Sequence, residues 1–320
     1  MTTRPLIAIP ADDPAQLQGS PRLDQLREYG EVVVYDDTPE NDEEKVRRAE
    51  DAVALINSRS HVTWRGDVLR RLPKLKMFTV CGIGTDAVDL DVARELGIVV
   101  SNIPGKTAPV VAEHAYALMF AVSRRVAYQT VEMKAGRWGI LLGTSLAGKT
   151  LGVVGTGDIG CEMIRLSRSF GMNVVAWSYH PSAEKAEKLD FRYVEFDDLL
   201  AQSDVVSVHV KLTDDSHHLI GEREISRMKP GGLLVNTARG PIVDTKALVA
   251  ALTSGHLAGA ALDVFETEPL SPDDPLLACE QVVLTPHSAD QTPEGMDLLN
   301  EGCVDNVIAF LEGRPQNVVT

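Results

Sequence analysis

The sequence predicts an α/β protein made of two Rossmann-like lobes, each with a doubly wound parallel sheet. Two observations carry this prediction. Short apolar runs alternate with longer polar, helix-compatible segments along the chain, which is the pattern of parallel strands joined by crossover helices. The chain is also long for one compact core, since 320 residues favour two domains.

The first lobe is predicted from five short apolar runs near the start of the chain. They are Leu6–Ile9, Val32–Tyr35, Ala54–Ile56, Met77–Val80 and Val99–Val100. A helix is expected to begin near Pro109, because apolar residues recur beyond it at helical spacing and proline suits a first turn.

The second lobe is predicted from six further runs, the strand count of a full dinucleotide-binding fold. They are Leu151–Val154, Asn173–Trp177, Val205–Val210, Gly232–Asn236, Ala258–Asp263 and Val282–Thr285. A last helix, about Pro293–Leu311, is expected to return to the first lobe. We therefore predict a dinucleotide-binding domain over 102–287. It is inserted into a discontinuous substrate-binding domain of 1–101 and 288–320, with a cleft between the lobes.

Charge and composition limit the classes of partner. A net charge of −15 and a pI near 5.0 repel polyphosphate, so neither a nucleic acid nor an anionic membrane is expected. No apolar run approaches the roughly 18 to 20 residues that span a bilayer. The apolar run at the start is also too short for a signal peptide. Four dispersed cysteines favour a reducing cytoplasm over a disulfide or zinc framework, and no metal is expected.

A glycine-rich turn follows the first strand of the second lobe. The segment Gly155-Thr156-Gly157-Asp158-Ile159-Gly160 comes directly after an apolar run and opens a predicted helix, Ile159–Phe170. In that context the first glycine permits a tight turn and the second lets the backbone approach a pyrophosphate. The third lets the helix pack on the strand. The turn therefore predicts a dinucleotide site.

The residue after the second strand of this lobe bears on the choice between NAD and NADP. NAD sites usually place Asp or Glu there to bind the ribose 2′-hydroxyl. This chain has Ser178 instead, with His180 two residues later. No carboxylate repels the 2′-phosphate of NADP, but no arginine stands in this stretch to hold it. The sequence leaves both cofactors open and slightly favours NADP.

Three residues suited to hydride-transfer chemistry follow in a fixed order. They are Arg239 in Asn-Thr-Ala-Arg-Gly, Glu268 in Phe-Glu-Thr-Glu-Pro and His287 in Leu-Thr-Pro-His-Ser. His287 suits proton transfer because an ordinary imidazole pKa, about 6.5, lies near working pH. Glu268 would favour its protonated form. Arg239 offers a planar fork that binds a carboxylate and polarises a carbonyl. Behind a dinucleotide turn, these residues predict reduction of a 2-oxo acid.

Four long stretches resemble the D-isomer-specific 2-hydroxyacid dehydrogenase family. They are Gly148–Gly160, Met228–Asp244, Gly259–Pro269 and Val283–His287, with weaker similarity at Val111–His114 and Pro315–Val319. The resemblance implies a homodimer paired through the nucleotide domains. It also implies that Arg239 binds substrate, Glu268 tunes the histidine and His287 acts as acid and base.

The resemblance also implies further binding residues. The loop Gly82-Ile83-Gly84 matches the segment whose backbone N–H groups bind the substrate carboxylate, and Asp263 would lie near the nicotinamide amide. Other expected cofactor contacts are Thr156, Asp158, Ile159, Ser178, His209, Thr237 and Ala238. Arg59 follows a strand of the first lobe, in the region where phosphoglycerate-type members carry arginines. A phosphorylated substrate therefore remains an alternative to a small unphosphorylated acid.

The sequence thus predicts a cytoplasmic NAD(P)-dependent dehydrogenase that interconverts a small 2-oxo acid and its D-2-hydroxy acid. Glyoxylate or hydroxypyruvate is the favoured class, and a phosphoglycerate-like substrate is second. Oxidation of formate or phosphite on the same fold is an alternative. Formate enzymes of this superfamily carry glutamine in place of Glu268, which argues against that substrate. The alternative of another class is a corepressor-like scaffold that senses dinucleotides.

Overall fold

The computed structural model describes residues 4–60 and 62–320, which form two compact units. One unit contains the residues up to Thr107 together with Gln291–Thr320. The other is Ala108–Asp290. The divisions predicted from the sequence lie at 101/102 and 287/288, whereas the two units divide at 107/108 and 290/291. Ser288, Ala289 and Asp290 therefore belong to the same unit as His287.

The first unit contains a five-stranded, all-parallel sheet in the order β2-β1-β3-β4-β5. The strands are β1 Leu6–Ile9, β2 Glu31–Val34, β3 Ala54–Asn57, β4 Met77–Val80 and β5 Val99–Ser101. The helices between them are α1 Arg22–Tyr29, α2 Asp42–Ala49, α3 Gly66–Leu69 and α4 Leu90–Glu95. Leu55 packs in one apolar core and its neighbour Ile56 in another, so both faces of the sheet are covered. Burial on both faces explains why these strands read as continuous apolar runs.

The second unit contains a seven-stranded, all-parallel sheet in the order β12-β11-β10-β9-β6-β7-β8. The strands are β6 Thr150–Val154, β7 Asn173–Trp177, β8 Arg192–Tyr193, β9 Val205–Val208, β10 Gly232–Asn236, β11 Leu257–Leu262 and β12 Val282–Leu284. Its helices are α5 Ala108–Ser123, α6 Val126–Lys134, α7 Asp158–Ser169, α8 Ala183–Leu189, α9 Phe196–Gln202, α10 Glu222–Arg227 and α11 Thr245–Thr253. The predicted α/β class with parallel sheets is confirmed. The strand β8 was not predicted, because two residues that include an arginine make no apolar run.

The strand order of the second sheet reverses at β6, which pairs with β7 on one side and β9 on the other. Open α/β sheets bind ligands outside the carboxyl ends of the strands at such a switch point. The glycine-rich turn follows β6 directly, so it lies at this point.

The last helix, α12, spans Pro293–Leu311 and belongs to the first unit. Thr292 caps it by accepting a hydrogen bond from the N–H of Gly295. Its Leu299 and Val304 are buried in the apolar core that includes Ile7 and Ile56. In the described part of the chain, no helix combines the length and apolar character needed to cross a membrane.

Candidate active site

The turn between β6 and α7 has the geometry that its three glycines require. Gly155 has a φ of 101°, and a Cβ there would lie 2.7 Å from the carbonyl group of His209. A Cβ on Gly160 would lie 2.0 Å from the carbonyl oxygen of Gly155, so α7 packs directly on the turn. A Cβ on Gly157 would meet nothing within 4 Å. The start of α7 therefore combines free N–H groups with open space, which suits a pyrophosphate.

The end of β7 is joined to this turn. The N–H of Gly155 donates to the carbonyl oxygen of Trp177 at 2.8 Å. Ser178 follows and is half-buried, and its Oγ accepts a hydrogen bond from the N–H of His180 at 3.3 Å. Lys185, in the first turn of α8, donates from Nζ to the carbonyl oxygen of Thr156 at 2.9 Å. Sequence reasoning missed Lys185, because it lies in the next helix and only folding brings it to the turn.

At the adjacent carboxyl ends of β9 and β10 lie two buried polar atoms that have no hydrogen-bond partner in the described part of the chain. They are Nδ1 of His209 and Oγ1 of Thr237. The other ring nitrogen of His209, Nε2, lies 2.7 Å from Oγ of Ser207. Burial lowers the pKa of His209 to about 3, so the ring is neutral. Buried polar atoms are seldom left unsatisfied, so this pair marks a place where polar groups of a ligand fit.

His287 and Glu268 form a hydrogen-bonded pair. Nδ1 of His287 lies 2.7 Å from Oε2 of Glu268, while Oε1 of Glu268 accepts a hydrogen bond from the N–H of Phe265 at 2.9 Å. The hydrogen bond to Glu268 raises the pKa of His287 although burial opposes it. Burial by itself would raise the pKa of Glu268, but the hydrogen bonds from His287 and Phe265 lower it overall. The pair therefore favours a carboxylate beside an imidazolium.

Arg239 follows β10 on a loop that packs against the loop of Glu268. Nδ2 of Asn236 donates to the carbonyl oxygen of Arg239 at 2.9 Å and fixes the backbone. A Cβ on Gly240 would lie 1.9 Å from the carbonyl carbon of Phe265, so only glycine permits this approach. The positive charge of Arg239 lowers the pKa of both His287 and Glu268. The fold thus brings together the three residues predicted as catalytic.

Asp263 follows β11 and holds the loop of His287. Its fully buried carboxylate accepts hydrogen bonds from the N–H groups of Ser288 at 2.9 Å and Ala289 at 3.0 Å, and from Oγ1 of Thr285 at 2.5 Å. The backbone N–H of His287 donates to the carbonyl oxygen of Asp263 at 2.8 Å. His287 adopts a left-handed conformation here, with a φ of 49°. Sequence reasoning assigned Asp263 to the nicotinamide and did not anticipate this role.

His114 of α5 completes that arrangement. Its Nε2 lies 3.0 Å from Oγ1 of Thr285 and 3.4 Å from Oδ1 of Asp263. Burial alone would raise the pKa of Asp263, but its hydrogen bonds with His114, Thr285 and Ser288 lower it overall. The carboxylate therefore stays charged inside the protein.

The candidate substrate residues lie in the first unit, at the carboxyl ends of two neighbouring strands. Arg59 follows β3 with a φ of 53°, and its Nε is buried without a hydrogen-bond partner among the described residues. Gly82 and Ile83 follow β4, and their carbonyl oxygens accept hydrogen bonds from the N–H of Ile103 and from Nδ2 of Asn102. The side chain of Ile83 is exposed, and Gly84 is half-buried.

This chain is similar to known proteins in both sequence and structure. Residues 116–289 match the sequence model of a family described as D-isomer specific 2-hydroxyacid dehydrogenase, NAD binding domain. A glyoxylate reductase from Aeropyrum pernix is 39% identical over 311 residues, covering 93% of this chain and 92% of that protein. A D-3-phosphoglycerate dehydrogenase from Archaeoglobus fulgidus is 40% identical over 298 residues, covering 92% of this chain and 56% of that protein. The crystal structure of a glyoxylate reductase from Paecilomyes thermophila is 31% identical with a TM-score of 0.88, covering 100% of this chain and 99% of that chain.

Proposed function

We propose that His287, Glu268 and Arg239 form the reacting centre of this chain, which belongs to the D-isomer specific 2-hydroxyacid dehydrogenase family. The chain is an NAD(P)-dependent oxidoreductase that interconverts 2-oxo acids and 2-hydroxy acids. One observation carries the proposed site, the 2.7 Å hydrogen bond between Nδ1 of His287 and Oε2 of Glu268. It commits one ring nitrogen to the carboxylate and leaves Nε2 to exchange a proton with the substrate.

The second unit is the proposed dinucleotide-binding domain. A nicotinamide dinucleotide, when bound, supplies or accepts the hydride. The glycine turn and the first N–H groups of α7, including those of Asp158 and Ile159, would hold the pyrophosphate. Ser178 would face the adenosine ribose. The unpartnered atoms of His209 and Thr237 support further polar contacts with the cofactor, and Ala238 and Asp263 remain proposed contacts beside them.

The proposed roles of the three residues follow from their chemistry. Arg239 binds the substrate carboxylate through its planar fork and polarises the carbonyl. In the direction of reduction, His287 donates the proton on Nε2 to the carbonyl oxygen. In oxidation the neutral ring takes the proton back. Glu268 stabilises the protonated ring, because its pKa is lowered and it stays a carboxylate.

The proposed substrate is a small 2-oxo acid of the glyoxylate or hydroxypyruvate class. The first unit is the proposed substrate-binding domain, and the backbone N–H groups of Gly82–Gly84 would bind the substrate carboxylate. The glyoxylate reductase of Aeropyrum pernix matches over 92% of its length, which supports this class. A phosphorylated three-carbon acid is the second candidate. The Nε of Arg59, buried and without a partner among residues 4–60 and 62–320, favours it, because a guanidinium there can bind a phosphate.

The second unit is also the proposed interface of a homodimer. Large apolar side chains stand exposed along α6 and the segment after it, including Val131 at 62%, Trp138 at 83%, Ile140 at 87% and Leu142 at 96%. Apolar surface of this extent usually marks a protein interface. The proposed compartment is the cytoplasm, which is consistent with four free cysteines.

The test is turnover with NADH and NADPH on glyoxylate, hydroxypyruvate, pyruvate and phosphohydroxypyruvate, followed by nicotinamide absorbance. His287→Ala should lower kcat roughly 10²–10⁴-fold, the usual contribution of a general acid. His256→Asn is the matched control, since His256 precedes β11 at the opposite, amino edge of the sheet. Turnover that survives in His287→Ala would overturn the proposed role. A wild-type protein inactive on every acid would overturn the substrate class.

A further inference from the structure

We propose that Lys185 binds the 2′-phosphate of NADP(H) and thereby sets the cofactor preference of this chain. The inference rests on the proposed dinucleotide site at the glycine turn. The sequence around Ser178 contains no arginine that could hold a 2′-phosphate, and Lys185 would supply the missing positive charge.

The position of Lys185 is fixed by two hydrogen bonds. Its backbone N–H donates to Oγ of Ser182, which caps α8, and its Nζ donates to the carbonyl oxygen of Thr156 at 2.9 Å. Thr156 is the second residue of the glycine turn. An ammonium group has three N–H donors, so two remain for a ligand. The side chain is exposed, so these donors are open to a bound molecule.

The neighbourhood of Lys185 is that of the adenosine ribose. The turn is joined to the end of β7 by the hydrogen bond from the N–H of Gly155 to the carbonyl oxygen of Trp177. The next residue, Ser178, occupies the position at which NAD enzymes place a carboxylate for the 2′-hydroxyl. Its hydroxyl can donate to a phosphate, and the ammonium of Lys185, hydrogen-bonded to the same turn, supplies the charge. Together they form a site for a 2′-phosphate that neither residue makes alone.

The local charges favour a cation at this position. Burial raises the pKa of the Cys161 thiol; Asp158 and Glu162 raise it further, whereas Lys185 and Lys188 lower it. Two acids and two lysines therefore act on the first turns of α7, in a chain whose net charge is −15. The two acids would repel a second phosphate, and Lys185, which acts on Cys161 more strongly than Lys188 does, opposes that repulsion. Of the two, Lys185 is the one hydrogen-bonded to the turn.

The test is nucleotide binding by isothermal calorimetry to the full chain. Lys185→Met keeps the apolar stem of the side chain and removes the charge, and Lys188→Met is the matched control. Four ligands are compared: NADPH, NADH, adenosine 2′,5′-bisphosphate and adenosine 5′-phosphate. We expect Lys185→Met to weaken NADPH and the bisphosphate about tenfold or more, as loss of a charge-assisted hydrogen bond does. NADH and the monophosphate should change much less, and Lys188→Met should bind all four nearly as the wild type does.

A second variant tests the other residue of the proposed 2′-phosphate site, Ser178. Ser178→Asp places a carboxylate at the end of β7, where NAD enzymes carry one for the 2′-hydroxyl, so it should weaken NADPH selectively and spare NADH. Equal losses for NADPH and NADH in Lys185→Met would mean that Lys185 only holds the turn, and the proposal would fall. It would also fall if the wild type bound the bisphosphate no better than the monophosphate, although turnover with NADH would leave the proposed dehydrogenase standing. Failure of all four ligands would instead refute the proposed dinucleotide site.

Discussion

At the residue scale, the chemistry of the proposed site depends on how two titrating groups are coupled. The hydrogen bond to Glu268 raises the pKa of His287, and it lowers the pKa of Glu268 against the effect of burial. The imidazolium therefore persists to a higher pH than that of a free histidine. Arg239 acts in the opposite sense on the ring and limits the shift.

The direction of catalysis then sets the pH dependence. In the proposed mechanism reduction needs the imidazolium of His287, so kcat/KM for reduction should fall as pH rises through the raised pKa of this residue. Oxidation needs the neutral ring, so it should rise through the same pKa. In Glu268→Gln the falling limb of reduction should move to lower pH, because the negative charge that stabilised the imidazolium is gone. Profiles of kcat/KM against pH for both directions measure this, and limbs that stay in place would contradict it.

A second prediction concerns the buried carboxylate of Asp263. In Asp263→Asn one acceptor oxygen becomes an NH2 group, which cannot accept the N–H of Ser288 or Ala289. A buried group left unsatisfied costs about 1–3 kcal/mol, so the melting temperature should fall. The activity should fall as well, because the loop of His287 loses its anchor. Asp273→Asn, on an exposed turn, is the control. Wild-type stability and kcat in Asp263→Asn would refute the anchoring role.

At the scale of the elements, close backbone approaches position the loops. Gly160 brings α7 against the turn after β6, and Gly240 brings the loop of Arg239 against Phe265. In each case a Cβ would lie within 2.0 Å of a backbone atom. Such contacts cannot be relieved by a side-chain rotation, so the elements themselves would have to move apart.

Two glycines of the same turn should therefore respond differently to alanine. Gly160→Ala forces α7 away from β6 and should destabilise the protein by about 1–3 kcal/mol, as overpacking does. Gly157→Ala meets no atom within 4 Å and has a φ of −70°, so the fold should tolerate it. Its methyl group would instead obstruct the pyrophosphate and weaken dinucleotide binding. Thermal melts beside binding titrations separate the two effects, and equal loss of stability in both variants would be evidence against this account.

The strands were predictable because the sheets are covered on both faces. Runs such as Leu151–Val154 are buried throughout and stand out in the sequence. β8 could not be found, because Arg192–Tyr193 pairs with β7 only at the edge of the sheet. The three proposed catalytic residues were visible as motifs, as was the glycine turn. The hydrogen bond from the N–H of Ser288 to the carboxylate of Asp263 could not be predicted from the sequence. The two residues are 25 positions apart, and only folding brings them into contact.

At the scale of the whole molecule, the exposed apolar segment predicts assembly. Trp138, Ile140 and Leu142 are each more than four-fifths exposed, and burying them against a second copy would be favourable at about 25 cal/mol per Å². The double variant Ile140→Asp/Leu142→Asp should therefore convert a dimer to monomers. Sedimentation velocity measures this, with Leu277→Asp as an exposed apolar control outside the segment. A wild-type protein that sediments as a monomer would exclude the proposed dimer.

The left-handed backbone at His287 carries a further consequence. A histidine with a φ of 49° stores conformational strain, which the surrounding hydrogen bonds to Asp263 hold in place. The entropy of orienting the imidazole is thus lost once, during folding, and not again in each turnover. At this position, a change that raises the stability of the fold is consequently expected to lower the activity. A residue that relaxes the backbone would favour the folded state locally while removing the pre-organised acid on which the proposed chemistry depends.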